Sequence, residues 1–245
     1  MIRLEIALDD VAGAANAERA GADRIELCAG LGDGGTTPSI GLIRTVAQDL
    51  TSASLMVLIR PRAGDFVFTP AEVRVMLTDI REIRHRVPTA GFVIGALEPT
   101  GEIDVATTAA LITECAGAPV TFNKAFDSTR DLARSLETLI GLGLHRVLTS
   151  GGRRVALDGA DTIGQLVEQS GGRIGVIAGG SIRPHTAAAL VDATGVTEVH
   201  LRAAAPRPSV SEWSNPEQDY STATVTVTDG GIVRRMVTAL EGARE

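Results

Sequence analysis

"GADRIEL" (Gly21–Leu27), "GLHRVLT" (Gly143–Thr149) and "GVTEVHL" (Gly195–Leu201) are three versions of one device. A glycine closes a helical stretch as a left-handed cap, and two or three residues later an apolar strand begins. Outward from these entries the same alternation runs along the chain. Strand-like runs occupy Arg3–Leu8, Arg24–Cys28, Leu55–Pro61, Phe92–Pro99, Val120–Asp127, Arg146–Gly152, Ile174–Ile182 and Glu198–Ala203. Helical spacing of Ala, Leu, Ile and Val fills Asp10–Ala20, Ser39–Leu50, Pro70–Arg86, Asp104–Cys115, Asp131–Leu142, Thr186–Ala193 and Gly230–Ala243. Strands alternating with helices predict an α/β fold with a parallel sheet, and eight of them predict a (β/α)8 TIM barrel forming a single domain over residues 1–245. A doubly wound open sheet is the competing arrangement, because patterning alone does not show closure.

Between the eighth strand and the last helix lies a long loop, about 204–228. It is rich in Ser, Thr and Pro and holds the only Trp (Trp213) and the only Tyr (Tyr220). Loops of that length in compact domains are usually functional or disordered. In a barrel this one leaves the C-terminal face, where active sites sit. It is expected to fold across the mouth or to pack against a second subunit, anchored by Trp213 and Tyr220.

Composition narrows the function. A net charge of -7 with no long basic run argues against nucleic-acid binding, which rests on neutralising phosphates. No apolar run approaches the ~20 residues of a membrane span. The start, "MIRLEIALDD", reads as a strand followed by acids, not as a secretory signal. Two cysteines, Cys28 and Cys115, make no disulfide framework. The expectation is a soluble cytoplasmic protein.

Charged residues inside apolar strands carry the chemistry. By two-residue alternation Glu5, Glu26 and His200 face the barrel interior while their apolar neighbours face the helices. Buried carboxylates need a partner, and Arg60 at the end of the third run is the expected one, with Arg62 and Asp65 following in its loop. Lys124 stands beside Asn123 at the end of the fifth run, where parity is ambiguous. The competing reading is a structural ion network filling the barrel. In the functional reading Glu5 or Glu26 is acid or base, and Arg60, Arg62 and Lys124 hold an anionic substrate. Lys124 is also a candidate Schiff-base amine. "TSGG" (Thr149–Gly152) and "AGGSI" (Ala178–Ile182) end strands six and seven, where barrels often hold phosphate. Ser150, Gly151, Gly179, Gly180 and Ser181 are therefore candidate ligand contacts, against the plain reading of turn glycines. Zinc spacings such as CxxC and HExxH are absent. Cys28 is the thiol placed near the mouth, whereas Glu5, Glu26 and His200 suit a hard or borderline divalent ion better than soft Cu(I).

The stretches "LEIALDD", "AGADRIELCAGLGDGGTTPSIGLI", "LIRPRAGDFVFT", "VTFNKAFD", "RVLTSGG" and "EVHLRA" together resemble the CutC family, named for copper homeostasis. They follow the family's order over nearly the whole chain. The resemblance implies a barrel, a cytoplasmic location, copper as the associated ion, and a homodimer as an assembly open to it. Carried over position by position, the family's mouth residues correspond to Glu5, Glu26, Cys28, Arg60, Arg62, Asp65 and Asp127. Where the family usually reads "TFHRAFD", Asn123 and Lys124 replace His and Arg. Small hydroxyl residues usually follow the strand-eight His, but Leu201, Arg202 and Ala203 follow His200 here. Two functions result: a copper-binding homeostasis protein, or a barrel enzyme of lyase, aldolase or isomerase type. The enzyme would act on a small anionic substrate, phosphorylated or carboxylated. Its candidate catalytic residues are Glu5, Glu26, Lys124, Asp127 and His200.

Overall fold

Strands that are apolar on one face and bury charge on the other have a natural solution in a closed sheet ringed by helices. The computed structural model describes residues 2–213, 215, 217 and 224–243. Strands β1 (Arg3–Leu8), β2 (Arg24–Leu27), β3 (Ser54–Leu58), β4 (Gly91–Ile94), β5 (Val120–Phe122), β6 (Arg146–Thr149), β7 (Gly175–Gly179) and β8 (Glu198–Leu201) pair in chain order. All eight are parallel, and β8 closes onto β1 with Glu5 opposite His200. Closure excludes the open sheet. Helices α1 (Val11–Arg19), α2 (Ile40–Asp49), α3 (Pro70–Arg86), α4 (Val105–Cys115), α5 (Leu132–Gly141), α6 (Ala160–Ser170), α7 (Pro184–Thr194) and α8 (Gly230–Gly242) accompany the strands. The α6 segment is the one helix not singled out by its sequence pattern.

The apolar residues divide into two clusters. Outward-facing Leu4, Ile6, Ile25, Val57, Phe92 and Val199 belong to the large core against the helices. Inside the barrel Cys28, Met56, Leu58 and Val93 form a small one. The inner cluster is small because charged residues occupy the remaining interior. Gly21, Gly143 and Gly195 take the left-handed φ expected of them (102°, 76° and 69°). There an L side chain would be strained by about 1 kcal/mol or more.

Two expectations are corrected. The fifth strand stops at Phe122, and Lys124–Ser128 is a 3-10 turn. The Asn123 side chain accepts a hydrogen bond from the Ala125 amide at 2.9 Å, a local bond that competes with the sheet ladder. The long loop is not a wandering connector. Its ends pair as antiparallel strands β9 (Ala204–Pro208) and β10 (Thr224–Thr228), with Ala204 opposite Thr228. The alternating TVTVT of β10 has strong strand propensity, and the prolines of β9 are tolerated in an edge strand. This arm leaves beside α1, where a Cβ on Gly13 would come 2.8 Å from Thr228 Oγ1. Trp213 is 73% exposed and so anchors nothing on the barrel. Tyr220 lies outside the described residues. Among those residues no helix is long and apolar enough to cross a membrane.

Candidate active site

Strand register brings Glu5 beside both Arg24 and His200, and sets Glu26 one step nearer the mouth, opposite Ala7. His200 Nδ1 lies 2.7 Å from Glu5 Oε1 and 3.4 Å from Glu26 Oε2. The other Glu5 oxygen accepts from Arg24 Nε, and Arg24 Nη2 reaches Glu198. A continuous polar chain, Glu198–Arg24–Glu5–His200–Glu26, therefore crosses the barrel interior. Glu5, Glu26 and His200 all stand where two-residue alternation places them.

The expected cation is corrected. Arg24, not Arg60, compensates Glu5. Arg60 lies beyond the end of β3, at the rim, and its Nη1 and Nη2 donate to Gly35 O and Gly64 O at 2.9 and 2.6 Å. Its guanidinium rests on Phe66, 4.7 Å from the ring centre. Arg24 and Glu198 were legible in principle, since they share strand parity with Glu26 and His200.

The network splits the two carboxylates. Burial works to raise Glu5, but the hydrogen bond and charge of His200, with Arg24 added, outweigh it and hold Glu5 at about 2. Glu26 has no direct cation contact of that quality. Burial pushes it up, His200 pulls it back in part, the Glu5 charge adds, and it comes to about 7. For His200, burial opposes the charged ring, but the Glu5 hydrogen bond and the two carboxylates prevail and raise its pKa. Pairs of titratable groups driven apart in this way mark acid–base sites.

A cavity of about 130 Å³ opens at the C-terminal mouth, and Glu26, Cys28, Arg60, Asn123, Lys124 and His200 are among the residues lining it. The early end of β5 resolves the parity question: both Asn123 and Lys124 reach the cavity. Lys124 Nζ donates to Ser150 Oγ at 2.8 Å and lies 3.3 Å from Asp127 Oδ2. Asp127 is committed elsewhere. It accepts from Thr149 Oγ1 at 2.6 Å, from the Ser150 amide and hydroxyl, and from the Gly152 amide. It fastens the loop after β6 through these bonds.

Other candidates fall outside the cavity. Arg62 pairs with Asp65 at 3.0 Å and with Glu72 at 2.6 Å, and it stacks on Phe68. Arg62 and Asp65 thus clamp their own loop. Ser150, Gly151, Gly179, Gly180 and Ser181 do not line the cavity. The glycines have a packing reason. A Cβ would come 2.4 Å from Gly159 O at Gly151, 2.7 Å from Leu148 Cδ1 at Gly179, and 2.9 Å from Ser150 Cβ at Gly180. Ser181 is exposed, with φ of 53°.

For a metal, donor atoms of Glu5, Glu26 and His200 lie within 4.8 Å of one another. Glu5 and His200 already spend theirs on each other and on Arg24. Cys28 lines the cavity, but burial first and then the Glu26 charge push its thiol well above the ordinary range. Soft copper is held by thiolate or thioether sulfur, so an ion bound here would have to displace that proton. Met56, the other sulfur of the inner cluster, takes a contact from Arg146 Nη2 at 3.6 Å. Cu(I) would therefore meet a single sulfur, Cys28, in the lining of the cavity.

A sequence model of the CutC family matches residues 2–205. The chain belongs to the CutC family. It is 44% identical to the human copper homeostasis protein cutC homolog over 212 residues, covering 86% of this chain and 77% of the human one. A family protein CutC of Xanthomonas axonopodis pv. citri is 43% identical over 248 residues, covering 98% and 99% of the two chains. The crystal structure of a CutC protein from Streptococcus agalactiae superposes with a TM-score of 0.78 at 32% identity, over 82% of this chain and 98% of that one. The family and the barrel read from the sequence both stand.

Proposed function

We propose that this chain is an enzyme that moves protons on a small anionic substrate held in the barrel mouth. The observation that carries this reading is the split pair. Glu26, at about 7, is poised to give and take a proton near neutral pH, while Glu5, at about 2, stays ionised and orients His200. A general acid or base works best when its pKa lies near the working pH. Lys124 supplies charge for a carboxylate or phosphate at the same cavity. The test is exchange of substrate C–H protons in D2O, followed by NMR, across small carboxylated and phosphorylated carbonyl compounds. Wild type should exchange at least one compound, and Glu26→Gln and His200→Gln should each slow it by about 100-fold or more. Exchange of no compound, or exchange indifferent to both substitutions, would overturn the reading.

A copper role is the second reading, favoured by the name of the human relative. It places the ion with Cys28 or with Glu5, Glu26 and His200. The donor chemistry above speaks against the soft ion. Titration with Cu(I) under reducing conditions, compared with Cys28→Ser, decides it. Tight stoichiometric binding that disappears in the variant would restore the copper reading, and weak binding indifferent to Cys28 would remove it.

A further inference from the structure

Of the 23 lysine and arginine residues in this chain, Lys124 is the one lysine. Wherever the fold needs a fixed cation it uses arginine: Arg24 inside the barrel, Arg60 at the rim, Arg62 and Arg173 in surface pairs. Guanidinium stays protonated and offers no free lone pair. An amine can shed its proton and attack carbon, which is the chemistry arginine cannot supply. The single lysine stands in the mouth cavity with Glu26 and His200.

Its side chain is held in place at the mouth. Nζ is fixed by Ser150 Oγ at 2.8 Å and by Asp127 Oδ2 at 3.3 Å, yet the side chain is 40% exposed and open to a molecule entering the mouth. Adjacent glycines make room for it and for the histidine. A Cβ on Gly180 would come 3.3 Å from Lys124 Nζ, and one on Gly179 would come 3.3 Å from the His200 ring. The amine and the proton carriers thus line one cavity.

We propose that Lys124 is a catalytic nucleophile that binds a small carbonyl compound, bearing a carboxylate or phosphate, as an imine. The proposal rests on the acid–base reading of the same site and deepens it. Nζ first releases its ammonium proton to solvent at the open mouth, and the neutral amine attacks the carbonyl carbon. A C–N bond forms, the carbonyl π pair moves to oxygen, and the oxygen takes a proton from the Glu26 carboxyl. The new ammonium returns a proton to Glu26, giving a neutral carbinolamine. His200 imidazolium then protonates the hydroxyl, which leaves as water while the nitrogen lone pair closes the C=N bond. Amine and carbonyl become iminium and water, with no change of oxidation state. The iminium withdraws electrons from the adjacent carbon and acidifies its C–H bond, the proton that the acid–base pair handles.

The composition makes the test clean, because trapping on a lysine can occur only at Lys124. The full chain is incubated with pyruvate or dihydroxyacetone phosphate plus cyanoborohydride, then read by intact mass and peptide mapping. One reduced adduct on Lys124 is expected, formed at least about tenfold faster than in the same chain unfolded in urea. Lys124→Arg, which keeps the cation, should abolish the adduct while retaining thermal stabilisation by inorganic phosphate; Lys124→Met should lose both. Adduct formation no faster than in the unfolded chain, with both probes, overturns the proposal. Deuterium exchange that persists in Lys124→Arg would leave the acid–base reading standing and the nucleophile refuted. Absence of exchange in wild type would refute both.

Discussion

Replacing Glu26 with glutamine should stabilise the protein in alkali and leave it nearly unchanged in mild acid. Glutamine keeps the shape of the side chain but never ionises. In the wild type the carboxyl lies between burial, which favours the neutral form, and His200, which favours the charged one; burial prevails and the pKa rises from 4.5 to about 7. Across that window the folded state retains a proton that the unfolded chain has released. Stability therefore falls as pH rises from about 4.5 through 7. Each tenfold difference in proton affinity between the folded and unfolded chain is worth about 1.4 kcal/mol, so the loss comes to about 3 kcal/mol. Urea unfolding of both proteins at about pH 4 and about pH 8 measures it. The Gln variant should match wild type at the lower pH and exceed it by about 3 kcal/mol at the higher. A difference that does not change between the two pH values would mean that Glu26 is an ordinary ionised carboxylate. The assignment of Glu26 as the acid would then fail.

Arg24→Met should cost about 3–5 kcal/mol in urea unfolding, because Glu5 and Glu198 would lose their shared buried cation. Adding Glu5→Gln should recover part of that, and no recovery would refute the pairing. Glu5, held at about 2 against 4.5, contributes stability above pH 4.5 that is lost as pH falls toward 2, so Glu5→Gln should flatten that acid limb in a pH titration of unfolding. Iodoacetamide should modify native Cys28 at least about 100-fold more slowly than a free thiol, since the group is buried and protonated; rapid labelling would contradict that. Replacing residues 207–222 by a short turn should leave phosphate affinity unchanged in a thermal-shift titration, because no described arm residue is among those that line the cavity. Lost affinity would show the arm to be a lid.

Much of this protein is readable without its tertiary structure. Repeated glycine-then-strand entries announce eight parallel strands, and two-residue alternation turns Glu5, Glu26 and His200 inward, because strand side chains alternate whatever the rest of the chain does. Local chemistry sets the helix starts too: Ser39 and Asp104 cap α2 and α4 through their own side chains. What alternation cannot decide is which inward charges meet, since that depends on strand stagger around the barrel. Arg24 reaches Glu5 only because β1 and β2 pair with Glu5 opposite Arg24. Arg60, with the same charge and the same parity as Met56 and Leu58, falls two residues past the end of its strand, and nearby carbonyl oxygens take up its donors. The glycines after β6 and β7 are ambiguous as sequence, because a turn, a ligand cradle and a close loop contact all exclude a side chain. The backbone of Gly159 against Gly151 and the Leu148 side chain against Gly179 decide for packing. The carboxylates themselves are plain in the sequence. Their unequal hold on protons is not, because burial and the distance to one histidine and one arginine exist only once the barrel closes.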